Sequence, residues 1–118
     1  NNPKKDRYFN VSLIKEKIDI LYKDNSKINV INYNKLTASL AKDLNANFIL
    51  RGLRNTTDFE FENSISQINK DLNSNLETVF LITSPKLAPI SSTIIRDVIR
   101  YGGDINKYLP YKIKLDEK

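Results

Sequence analysis

Apolar side chains at Leu13, Ile14, Ile18 and Leu21 recur at helical spacing, which predicts an amphipathic helix over residues 12–22 with Ser12 as its N-cap. Beyond a polar turn at 23–27, Ile28 to Tyr33 alternates apolar and polar positions as a short strand does. Leu36, Leu40 and Leu44 mark a second helix, broken by Asn45-Ala46-Asn47. Phe48-Ile49-Leu50 is a short continuous apolar run, the pattern of a strand covered on both faces, and it gives way abruptly to Arg51-Gly52-Leu53-Arg54. From Asp58 onward, Phe61, Ile65, Ile68 and Leu72 predict a third helix whose other stripe carries Asp58, Glu62 and Asn69. Thr78 to Ile82 reads as another buried strand, followed by a loop over 83–90. Ser91-Ser92 then opens a helix with a core face of Ile94, Ile95, Val98 and Ile99, stopped by Gly102-Gly103. The tail from Lys112 is charged and is expected to fray.

Strands alternating with helices predict an α/β fold, a three-layer Rossmann-like parallel sheet, in which ligands bind beyond the carboxyl ends of the strands. Both polar segments, Arg51–Arg54 and Ser91–Thr93, fall there. The length of 118 residues predicts one domain, 1–118.

Composition narrows the chemistry. The chain has 40% apolar and 28% charged residues, the balance of an ordinary globular protein, and no apolar run approaches the ~20 residues of a membrane span. The opening Asn1-Asn2-Pro3-Lys4-Lys5 has no apolar stretch of a signal peptide, so a cytoplasmic location is expected. With no Cys and no His, disulfides, thiolate metal sites and imidazole acid–base catalysis are excluded for these residues. The net charge of +5 comes mostly from scattered Lys, which reads as solvated surface rather than a nucleic-acid patch. The few Arg carry more information, because their planar fork matches carboxylate or phosphate.

In the first polar segment, Gly52 permits close backbone approach, and Arg51 and Arg54 offer charge-assisted bonds to an anion. An equally good account pairs either Arg with Asp58 or Glu62 as a salt bridge between loop and helix. In the second segment, three hydroxyls at Ser91, Ser92 and Thr93 meet a helix N-terminus, whose exposed N–H groups favour anions. Plain N-capping explains one Ser equally well.

Together, RGLRNTTDFEFE at 51–62 and ISSTIIRDVIRYGGD at 90–104 resemble the bacterial phosphopantetheine adenylyltransferase family, a branch of the nucleotidyltransferase α/β phosphodiesterase superfamily. The resemblance runs from Asn2 to Pro110. It implies that Lys5 and Arg51 hold the phosphate of 4′-phosphopantetheine, that Thr37 lines the pantetheine arm and that Asn69 faces the same pocket. It assigns ATP to Gly52, Leu53, Arg54, Glu62 and the loop Leu87, Ala88, Pro89, Ile90, Ser91, Ser92 and Thr93. Lys5 and Arg54 would be the catalytic pair; taken alone, Lys5 reads as a terminal Lys.

The chain departs from the family pattern in several places. Leu87 and Pro89 stand where aromatics are frequent near the adenine, and Phe61 replaces a frequent Tyr. The family's first strand and its HxGH or TxGH motif would precede Asn1. The sheet read from this chain is thus incomplete at the N-terminus, and the 118 residues alone are expected to turn over poorly.

The implied reaction is adenylyl transfer from ATP to 4′-phosphopantetheine with Mg²⁺, giving dephospho-coenzyme A and pyrophosphate. No metal-ligating residue is identified, and neither nucleic acid nor membrane is an expected partner. The resemblance implies a homo-oligomer, a hexamer. Two other readings stand beside it: a nucleotidyltransferase with another phosphorylated acceptor, distinguished by Lys5, Thr37 and Asn69, and a non-catalytic nucleotide- or nucleic-acid-binding module.

Overall fold

Helices and strands alternate through the middle of the chain in the computed structural model, which describes residues 8–114. In chain order the elements are α1 (Val11–Leu21), α2 (Thr37–Asp43), β1 (Phe48–Leu53), α3 (Thr56–Leu72), β2 (Glu77–Ile82), α4 (Ser92–Arg100) and a 3₁₀ turn (Asn106–Tyr108). They form two compact units. One comprises Asn1–Asn34 with Ile90–Lys118, and the other is the contiguous stretch Lys35–Pro89.

In the contiguous unit β1 and β2 pair in parallel, from Phe48 opposite Glu77 to Leu53 opposite Ile82, with α3 as the crossover. The fold is therefore α/β with a parallel sheet. Ala38 and Ala41 of α2 pack on Leu76, with Ala46 and Ile49 against them. The small alanines let helix and strand approach closely. Helix α2 ends on Asn45 at φ 52°, a left-handed conformation that Asn tolerates. The N–H groups of Asn45 and Ala46 bond back to Lys42 O (3.2 Å) and Ala41 O (2.8 Å), so two otherwise orphaned carbonyls are satisfied.

Two expectations are corrected in this unit. The apolar run in β1 is not covered on both faces: Ile49 is half-buried and Leu53 buried, but Phe48 and Leu50 are 69% and 64% exposed. Val79 and Leu81 share that open face by register, so one side of the two-stranded sheet is an uncovered apolar surface. Helix α3 is likewise turned against its pattern. Asp58, Glu62, Ser66 and Asn69 are half-buried, whereas Phe61, Ile65, Ile68 and Leu72 are exposed. Its aromatic anchor is Phe59, edge-on to Phe80 of β2 at 5.7 Å between ring centroids.

In the other unit the core is Ile99, Ile105 and Ile113, with Phe9, Leu13, Ile14 and Ile95 around it. Each fully buried Ile contributes about 1.5–3 kcal/mol by removal from water. Asn10, not Ser12, caps α1, its Oδ1 accepting from the Ser12 N–H at 2.9 Å. Residues 28–33 form no strand. Their alternation suits an extended chain, but among the described residues no second strand pairs with them to complete a ladder, and Ile28 and Ile31 are exposed. Helix α4 stops at Gly102, whose φ of 75° suits glycine, and the Gly103 N–H bonds to Val98 O at 2.8 Å.

Candidate functional site

Only Arg54 and Asn55 separate β1 from α3, and the turn is held by side chains. Asn55 is extended (φ −158°, ψ 178°) and caps α3, its Oδ1 accepting from the Asp58 N–H at 2.8 Å. That bond fixes Asp58 in the first turn, where the positive end of the helix favours a carboxylate. Asp58 in turn grips Arg54: Oδ2 accepts from Arg54 N (3.2 Å) and Nε (2.8 Å), and Oδ1 from Nη2 (2.9 Å). These bonds hold the Asp58 carboxyl below the usual carboxylate range and raise the already high value of Arg54, so both stay charged.

One helical turn on, Glu62 takes Arg51 in the same way, with Nε at 2.7 Å and Nη2 at 2.5 Å from its two oxygens. Asp58 and Glu62, four apart, stack on one stripe of α3. Each thus receives one arginine from the β1 strand and turn through a two-bond, side-on fork. The salt-bridge pairing of Arg51 and Arg54 with carboxylates of α3 is realised, and Glu62, expected at ATP, accepts both of these bonds from Arg51. Arg51 and Gly52 lie inside β1, which runs on to Leu53, so the expected end of the strand at Leu50 is corrected. The backbone pairing with β2 carries it through.

Gly52 has an ordinary backbone conformation, and a Cβ added there would meet no atom within 4 Å. Packing therefore gives no reason for glycine at this position. Leu53, also expected at ATP, is buried, 3% exposed. Thr37 is half-buried at the start of α2, and Asn69 is half-buried on the inward stripe of α3. Leu87 and Ala88 sit in a tight turn whose N–H groups bond to Ser84 O at 2.9 and 3.0 Å; Leu87 and Pro89 are exposed. Lys5 lies outside the described residues.

Ile90 to Thr93 belong to the other unit. Ser91 caps α4, its Oγ accepting from the Ile94 N–H at 3.2 Å, while Thr93 Oγ1 accepts from Arg96 Nη2 at 3.2 Å. Ser92 is exposed, and its hydroxyl makes no hydrogen bond among the described residues. The first turn thus presents the Ser92 hydroxyl beside main-chain N–H groups that have no intrahelical partner. Ser91 and Ser92 also border an apolar hollow of about 320 Å³, lined by Ile90, Ile95 and Tyr111 among others. Burial pushes the Tyr111 hydroxyl up, so it remains a neutral phenol at physiological pH.

Sequence reasoning missed two parts of this arrangement. One is the capping role of Asn55, legible in hindsight as Asn55-Thr56-Thr57-Asp58, an N-cap followed three residues later by an acid. The other is the hollow, built from residues too far apart in sequence to form a motif. Among the described residues no group of three or more Asp or Glu could hold a metal ion, and no helix is long and apolar enough to cross a membrane.

Residues 1–98 match the cytidylyltransferase-like family. The chain is 54% identical over 113 residues to the phosphopantetheine adenylyltransferase of Cytophaga hutchinsonii, covering 96% of this chain and 75% of that protein. It is 45% identical over 114 residues to that of Flavobacterium johnsoniae (97% and 74% covered) and 40% identical over 115 residues to that of Bacteroides thetaiotaomicron (98% and 76%).

Proposed function

The chain belongs to the phosphopantetheine adenylyltransferase family of cytidylyltransferase-like nucleotidyltransferases, and from that membership we propose that it serves transfer of the adenylyl group of ATP to 4′-phosphopantetheine in coenzyme A biosynthesis. An oxygen of the acceptor phosphate attacks the α-phosphorus of ATP. The new P–O bond forms as the bond to the β-phosphate bridging oxygen breaks, and pyrophosphate leaves. No protein nucleophile is needed, so catalysis rests on positioning and on neutralising charge.

The observation that carries this reading is the pair of arginines at the end of β1, each oriented by its own carboxylate. Arg51, with Lys5, orients the acceptor phosphate, and Arg54 holds phosphates of ATP. The open space at Gly52 supports close approach of ligand to the main chain. Ser91 and Ser92 are assigned to ATP from family membership, and a helix N-terminus suits an anion. Thr37 and Asn69 are assigned to the pantetheine arm.

Asp58 and Glu62 do not suit a resident metal, since both are committed to arginines. Mg²⁺ is accordingly proposed only as part of the ATP substrate, where it would neutralise charge on the triphosphate. The uncovered apolar faces of α3 and the sheet support a homo-oligomer. ATP as substrate supports a cytoplasmic location.

The test is calorimetry with each substrate separately. Arg51→Ala is expected to weaken 4′-phosphopantetheine, and Arg54→Ala to weaken ATP, each by roughly ten- to a hundredfold, as loss of a charged hydrogen bond of ~1.5–3 kcal/mol dictates. Unchanged affinities with lowered unfolding temperatures would mean that the arginines serve only their carboxylates. Indifference to both substrates, with RNA binding that falls steeply with salt, would favour the nucleic-acid module.

A further inference from the structure

We propose that Asp58 is a positioning residue for ATP binding: it holds Arg54 so that the far edge of the guanidinium is presented to phosphate. The inference rests on the ATP role of Arg54 argued above and extends it to a residue that would not itself touch the nucleotide.

A guanidinium carries five N–H groups. Asp58 occupies Nε–H and one hydrogen of Nη2, the side-on edge. Both hydrogens of Nη1 and the second of Nη2 make no hydrogen bond among the described residues, and the side chain is 37% exposed. One hydrogen of Nη1 and the second of Nη2 form the end-on edge, which makes a two-pronged contact with phosphate as readily as the side-on edge does. Carboxylate and phosphate can therefore share one guanidinium without competing for the same hydrogens.

Asp58 is itself anchored. Its N–H is held by the Asn55 cap, and its Oδ2 also accepts the main-chain N–H of Arg54. The carboxylate thus registers the arginine plane against the rigid first turn of α3 rather than against a mobile side chain. An unanchored Arg would surrender the freedom of a long arm on binding, whereas this one has surrendered it in advance.

The opposite effect has an equally physical basis. A carboxylate beside the arginine lowers the local positive potential, and if that dominates, removing the charge will strengthen ATP binding. The sign of the change therefore decides the matter.

ATP affinity of the full chain is measured by calorimetry alongside its unfolding temperature. Asp58→Asn is expected to weaken ATP about tenfold, and Asp58→Glu, which keeps the charge and fork, to recover most of the loss. In an Arg54→Ala background Asp58→Asn is expected to add nothing. Equal or tighter ATP binding by Asp58→Asn, with only the unfolding temperature lowered, overturns the proposal and leaves Asp58 a structural residue of the α3 first turn. Indifference of ATP to Arg54→Ala instead overturns the reading of Arg54 on which it stands.

A second measurement needs no substitution. The Nε–H resonance of Arg54, followed by ¹⁵N NMR, is expected to keep its shift and slow exchange when the chain is saturated with ATP. Its movement to the value of a free guanidinium would mean that phosphate displaces Asp58, and would overturn the proposal.

Discussion

Arg51 and Glu62, one on a strand and the other on the helix that follows it, meet edge to edge, with both carboxylate oxygens engaged at 2.7 and 2.5 Å. The acid is the more enclosed partner, its side chain 14% exposed against 49% for the arginine. Strand and helix are thereby coupled at the point where the proposed acceptor site begins.

Glu62→Gln is expected to change stability by less than about 1 kcal/mol, since the arginine side of the pair faces solvent. Its main effect falls on 4′-phosphopantetheine, through loss of the Arg51 orientation. Calorimetry with both substrates checks this, and a loss confined to ATP would show that Glu62 contacts the nucleotide directly.

The three glycines should respond differently to alanine. Gly52→Ala is expected to leave stability unchanged or raise it by about 0.5 kcal/mol, because the site is open and the unfolded chain loses freedom, while ATP affinity falls. Gly102→Ala is expected to cost about 1–2 kcal/mol at φ 75°. Gly103→Ala would put a Cβ 2.7 Å from Val98 Cγ1 and 3.1 Å from Val98 O, forcing the end of α4 to shift. Denaturant unfolding of the three variants, with ATP titration of the first, checks the ranking.

Asp58 and Asp104 both titrate below the ordinary value of 3.8, the former through the Arg54 hydrogen bonds and the latter through the N–H and side-chain amide of Asn106. A carboxyl with a lowered folded value contributes stability that is fully present above its unfolded value and is lost as pH falls through the folded one. Stability should therefore be level above about pH 5 and decline below pH 4. In Asp104→Asn that decline should be shallower, as unfolding at a series of pH values would record.

The exposed stripe on α3 gives a further expectation. Ile68, 61% exposed, can be changed to Lys with little effect on the stability of the unit, within about 0.5 kcal/mol, yet with weakened self-association in sedimentation velocity. Unchanged association would direct attention to the open sheet face at Leu50 and Val79.

What the sequence made legible follows local chemistry. The spacing of Phe61, Ile65, Ile68 and Leu72 identified α3, but periodicity reports a helix and not the direction it faces, so the inward turn of Asp58 and Glu62 was hidden. Ser91 was readable as a cap because capping is local. Ile28 to Tyr33 shows the reverse case: alternation describes a willingness to extend, whereas a strand also needs a neighbour to pair with. Asp58 and Glu62 were both visible as candidate partners of either arginine; only geometry shows that Arg54 takes Asp58 and Arg51 takes Glu62.

The division of the chain also bears on the order in which it folds. The unit Lys35–Pro89 is contiguous, whereas the other must bring residues before Asn34 together with residues after Ile90. Closing a loop of that length carries an entropic penalty that contacts along an uninterrupted stretch avoid. Amides of β1 and α3 should accordingly gain protection from hydrogen exchange before those of α1 and α4, so that on a refolding time course the paired arginines would be assembled before the serine-capped helix.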